Sequence, residues 1–147
     1  MLTIPLQQLF AHYHQAFKAQ NIAEVLSCYQ LPCTLLTPDR LVVLNNRLAA
    51  EDEFSEIFLG INSLGIKSFK ALSASYDVIT ENAEDAIIMT NIHWQFFNSK
   101  DEILADFCAL YHIIKCQQQL KIFQVVSHEN EPAIDLPFSL TLLETNK

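Results

Sequence analysis

Ala86-Ile-Ile-Met-Thr-Asn-Ile-His-Trp-Gln-Phe-Phe97 is followed by Asn98-Ser-Lys-Asp101, then by Glu102-Ile-Leu-Ala-Asp-Phe-Cys-Ala-Leu-Tyr-His-Ile-Ile-Lys-Cys116. Gln117-Gln-Gln119 and Leu120-Lys-Ile-Phe-Gln-Val-Val-Ser-His128 complete the stretch. The three long runs are rich in β-branched and aromatic residues and contain neither Gly nor Pro, which predicts strands over 86–97, 102–116 and 120–128. The polar pieces between them suit tight reversals. A sheet of this length must bury one face, so the alternation of side chains along it carries most of the information in the chain.

The faces can be read by treating Ser99-Lys100 as a two-residue loop. Asp106 then falls opposite His93, Cys108 opposite Asn91, and His112 opposite Ile87. These share one face with Met89 and Gln95, a mixed face. The other face carries Ile88, Thr90, Ile92, Trp94, Phe96, Phe107, Tyr111 and Ile113 and is strongly apolar. Two readings stay open. If the mixed face is concave, His93 and Asp106 form an acid/base couple in a pocket, the carboxylate orienting the imidazole and raising its pKa. If the apolar face meets the helices, the same pair is a cross-strand contact on the outside, worth a few tenths of a kcal/mol, about 0.2–1.

Upstream, residues 3–19 read as an amphipathic helix, with Thr3 as N-cap, Pro5 in the first turn, and Leu6, Leu9, Phe10, Tyr13 and Phe17 at helical spacing. Asn21 opens a second helix, expected over Ile22–Tyr29. Pro32 bars its extension, and Cys33–Thr37 and Leu41–Leu44 form a hairpin about Pro38-Asp39. Asn45 or Asn46 caps a third helix, Arg47–Ser63, with Phe54, Ile57, Phe58 and Ile61 inward and Gly65 as its stop. Ile66–Thr80 is a further strand. Helices segregated on one face of a mainly antiparallel sheet make an α+β domain. It is expected over 1–128, with 129–147 a C-terminal tail that could be a late strand or a swapped arm.

At 147 residues the chain suits one domain, and 50% hydrophobic with 18% charged residues is a globular composition. Net charge is −8 and no Lys/Arg cluster occurs, which disfavours nucleic acid and anionic membrane as partners. Cys28, Cys33, Cys108 and Cys116 form no C-x-x-C pair and read as reduced thiols. With no signal-like N-terminus and no run of about 18 apolar residues, a cytoplasmic location is expected. The histidines lack zinc-type spacing and no Gly-rich phosphate loop is present, so neither a metal nor a cofactor is expected.

The element order helix, helix, strand, strand, helix, four strands, together with Tyr29-Gln-Leu-Pro-Cys-Thr-Leu-Leu-Thr-Pro-Asp39, resembles the nuclear transport factor two-like superfamily. That superfamily includes SnoaL-like cyclases and ketosteroid isomerases. The resemblance spans residues 5–128 and implies a cone-shaped, strongly curved sheet covered on one face by three helices, the cystatin-like α+β barrel. It also implies a homodimer and a pocket for a small hydrophobic molecule. In its enzymatic form the implied chemistry is proton transfer of isomerase, cyclase or dehydratase type. The alternative is a non-enzymatic dimeric interaction module with a vestigial cavity.

Laid on the isomerases, the first helix puts Tyr13 at their tyrosine position and Thr37 at their general base. A threonine hydroxyl stays protonated near neutral pH and cannot serve as that base. Their oxyanion-hole aspartic acid falls on Asp106 when aligned from Glu84, but near Tyr111 when aligned from the last hairpin. The candidate catalytic residues are therefore His93, Asp106 and Tyr13. Thr37, Phe54, Phe58, Asn91, Trp94, Cys108, Tyr111 and His112 are expected to line the ligand site. His12 and His14 point apart on one helix, so at most one of them can help line a cavity, and a solvated place is expected for both. Cys108 with His93 or His112 could form a nucleophilic couple, although apolar neighbours would raise the thiol pKa.

Overall fold

The computed structural model describes residues 2–37, 40–82 and 85–129 of the chain. Its elements are α1 (Thr3–Lys18), α2 (Ile22–Leu26), β1 (Tyr29–Thr37), β2 (Arg40–Leu44), α3 (Arg47–Ser63), β3 (Ser68–Glu81), β4 (Ala86–Phe97), β5 (Ile103–Cys116) and β6 (Gln119–Glu129). The order is the expected one. The Pro38-Asp39 turn and the tail from residue 130 onward lie outside the described residues. No described helix is long and apolar enough to cross a membrane.

Local chemistry explains most of the helix ends. Asn21 and Asn46 sit in extended backbone, and their side chains accept from the amides of Glu24 and Ala49, so each satisfies one donor of a first turn. Gly65, at φ +78°, takes the left-handed conformation that stops α3. Two expectations need correction. Thr3 does not cap α1: Leu2 precedes the helix without a side-chain cap, and the Thr3 hydroxyl is hydrogen-bonded to Tyr76 Oη at 2.7 Å. Also, α2 ends at Leu26 rather than Tyr29. Ser27 turns back to donate to the Glu24 carbonyl, and Tyr29 already pairs with Ile122 of β6.

The six strands form one curved sheet in the order β2-β1-β6-β5-β4-β3. Only β1 and β6 run parallel; every other neighbouring pair is antiparallel. The β1–β6 ladder breaks between Tyr29 and Thr34, around Pro32, whose nitrogen carries no hydrogen to donate. This is the α+β cone architecture with three helices on one face.

The β4–β5 register differs from the expected one by two residues. His93 lies opposite Cys108, and Asp106 opposite Gln95. One residue of the slip comes from the loop. Asn98 N donates to Glu102 O, leaving three residues between them, with Asp101 left-handed at φ 61°. The other comes from a bulge, since Phe96 pairs Ala105 and Phe97 pairs Ile103. One shift alone would exchange the faces; two restore them.

The apolar face looks inward. Ile88, Ile92, Ile113 and Ile122 are at most 3% exposed and pack with Leu6, Tyr13, Phe54, Phe58 and Ile61 from the helices. Burying such a side chain contributes about 1.5–3 kcal/mol, whereas burying a carboxylate without full pairing costs several kcal/mol, roughly 3–5. The mixed face therefore lies outside, which overturns its placement as the concave wall.

Candidate functional site

Between the helices and the inner face of the sheet lies a cavity of about 230 Å³. Tyr13, His14 and Phe17 of α1 form one wall, with Ile57 and Ile61 of α3 beside them. Trp94, Phe96, Phe107, Ala109 and Tyr111 of β4 and β5 form the opposite wall, flanked by Tyr29, Leu35, Phe69, Val125 and Ser127. The helix residues arrive together because positions 13, 14 and 17 are neighbours on one helical face. The strand residues share the inward parity of the pleat.

Within this aromatic shell a few polar groups converge. Tyr13 Oη and Tyr29 Oη are hydrogen-bonded at 2.9 Å, and Trp94 Nε1 donates to Tyr111 Oη at 2.9 Å. Burial raises the pKa of all three phenols; the Tyr29 hydrogen bond only partly opposes this at Tyr13. They are thus neutral hydroxyls. In the Tyr13–Tyr29 pair one O–H donates to the other oxygen, leaving the second O–H able to donate into the cavity, as the Tyr111 hydroxyl can. His14 packs edge-on against Trp94 and Phe69, with ring centroids 5.7 and 6.3 Å away. Burial first, and the Lys18 charge second, lower its pKa, so the ring is neutral near pH 7 and can accept a proton.

Of the residues expected from sequence, the structure brings Tyr13, Trp94 and Tyr111 to the cavity. Phe54 and Phe58 are buried in the adjoining core, packed on Tyr29 and Phe17. Thr37 is exposed at the far end of β1, donating to the Arg40 carbonyl. Asn91, His93, Asp106, Cys108 and His112 lie on the outer face, because their parity opposes that of Ile92, Trp94 and Tyr111. His93 and Asp106 do meet, diagonally rather than directly opposed: Nε2 to Oδ1 is 2.5 Å, and Gln95 Nε2 donates to Oδ2 at 2.9 Å. That couple stands across the sheet from the cavity. No Cys108–His couple adjoins the cavity either.

The residues that sequence reasoning missed are His14 and Tyr29. His14 follows Tyr13 by one position, and its place was decided by the roll of α1 on the sheet. Tyr29 was assigned to a helix end, which hid its inward parity on β1.

The sequence profile of the NTF2-like protein family (DUF6841) matches residues 6–130. The chain belongs to this NTF2-like family. Among curated proteins no match was found. Solved structures resemble it over most of its length. An NTF-2 like protein of unknown function from Shewanella oneidensis superposes with a TM-score of 0.66 at 11% identity, covering 88% of this chain and 100% of the other. A cystatin-like-fold protein of unknown function from Nostoc punctiforme gives 0.63 at 10%, covering 89% and 92%. A ketosteroid isomerase-like protein from Erwinia carotovora atroseptica gives 0.54 at 16%, covering 90% and 98%. At these identities the likeness is one of fold.

Proposed function

We propose that this NTF2-like protein binds a small, neutral, mostly apolar molecule carrying an oxygen acceptor, in the cavity between α1, α3 and the sheet. The supporting observation is the convergence of neutral hydroxyls (Tyr13, Tyr29, Tyr111) and a neutral imidazole (His14) inside an aromatic enclosure. An apolar ring fits the aromatic walls, a carbonyl or hydroxyl oxygen accepts from a phenol, and a charged ligand is disfavoured for want of a counter-charge. Proton transfer of the isomerase, cyclase or dehydratase kind would use His14 as base and a tyrosine as the oxygen's hydrogen-bond donor. His93 and Asp106 stand on the wrong face for that chemistry.

The test is titration with 2-decalone, a bicyclic neutral ketone, followed by the emission of Trp94, the only tryptophan. Saturable binding is expected, weakened about two- to tenfold by Tyr111→Phe, with cyclohexanecarboxylate failing to compete. An unsaturable response, or preference for the carboxylate, contradicts the proposal.

A second reading concerns assembly. Ile79 and Ile87 are exposed near one another at one end of the β3–β4 pair, where they favour pairing with a second copy of the chain. Sedimentation across a dilution series should give a dimer that Ile87→Lys weakens; a monomer at all concentrations contradicts it.

A further inference from the structure

We infer that the molecule bound in the cavity carries an alkyl chain beyond its ring and oxygen, and that the chain runs past His14 and Trp94 into the space between α1 and β3–β4. This inference rests on the binding proposed above and adds the shape of the ligand. The neighbouring space measures about 380 Å³, and its walls include His14 and Trp94, which also line the aromatic cavity. The two spaces therefore meet at these side chains, whose rings stand edge-on with centroids 5.7 Å apart.

Roof and floor both run through that meeting point. On α1, Gln7 and Phe10 line the neighbouring space, His14 lines both, and Phe17 lines the aromatic cavity. Spacings of three and four residues keep these side chains on one helical face. The advance from Gln7 to Phe17 is about 15 Å, at a rise of about 1.5 Å per residue. On β4, Ile92, Trp94 and Phe96 share the inward parity and follow the same course. The width comes from β3, where Ala71 pairs Trp94 and Ala74 pairs Ile92, so two methyl groups stand beside the large side chains. Such a trough is longer than a fused bicyclic ketone, which leaves its far end for a chain. Among the described residues no Lys, Arg, Asp or Glu lines either space, so that end suits an alkyl chain and disfavours an ionised one.

The experiment is a two-dimensional amide NMR titration of the whole chain with 2-pentylcyclopentanone and 2-heptylcyclopentanone, with 2-decalone as the chainless reference. All three ketones are expected to move the Leu35, Tyr111 and Ser127 amides saturably, and only the two chain-bearing ones the Ala71 and Ala74 amides. Affinity should rise from the pentyl to the heptyl ketone by about two- to fourfold per added methylene. Ala74→Leu fills the far space and should erase that gain while 2-decalone binds as in wild type. The wild-type shift map decides by itself if that variant does not fold. Failure of 2-decalone to bind overturns the cavity reading and this inference with it. With 2-decalone bound, a heptyl ketone no tighter than the pentyl one, or Ala71 and Ala74 amides that it leaves unmoved, overturns the chain alone. An undiminished gain in Ala74→Leu does the same.

Discussion

His14 is the residue on which the proposed chemistry of the cavity turns. Its folded pKa lies below the ordinary value of 6.5, because burial and the Lys18 charge both disfavour the protonated ring. As pH falls below that ordinary value the unfolded chain takes up the proton first, so stability declines through the window down to the folded pKa. Above the ordinary value the effect vanishes. Urea midpoints measured from pH 7.5 to 4.5 should therefore fall less steeply in His14→Gln than in wild type. Parallel profiles would show that His14 is not desolvated in the fold. The same burial logic makes Cys28 and Cys33 poor nucleophiles, their thiols being pushed up to about 11.

At the scale of elements, the hairpins govern which residues meet. The β5–β6 turn places Gln117 and Gln118 at φ 50° and 67°, with Cys116 pairing Gln119 across a two-residue loop. That backbone favours Asn-Gly, and glutamine tolerates it poorly. The double change Gln117→Asn, Gln118→Gly should raise stability by about 1 kcal/mol in urea unfolding without altering ligand response. A loss of stability would contradict the turn assignment. Strand periods and Asn caps made the elements legible in the sequence, including both ends of α3. The β4–β5 register was not legible. Its loop length and its bulge each change the pairing by one residue, and nothing in Asn98-Ser-Lys-Asp101 announces the bulge at Leu104. The parity of the faces survived only because the two shifts add.

For the whole molecule, the decisive question was which face of the sheet the helices cover. Sequence showed two unequal faces and a His93–Asp106 couple on one of them; the couple exists, on the outside. Periodicity along a strand reports parity, whereas inside and outside are set by the larger gain from covering Ile88, Ile92 and Ile113 with α1 and α3. Half of the candidate site was visible in Tyr13, Trp94 and Tyr111. His14 and Tyr29 depended on how α1 rolls and where α2 stops, which are tertiary facts. The family membership fixes the fold, and the cavity's phenols and imidazole carry the functional reading.

The most direct test of that reading is an amide and indole NMR map of the 2-decalone complex. Saturable shifts are expected at Tyr13, His14, Trp94 and Tyr111, with His93, Asp106 and His112 unmoved. Shifts centred on His93 and Asp106, with the cavity residues unchanged, would contradict it.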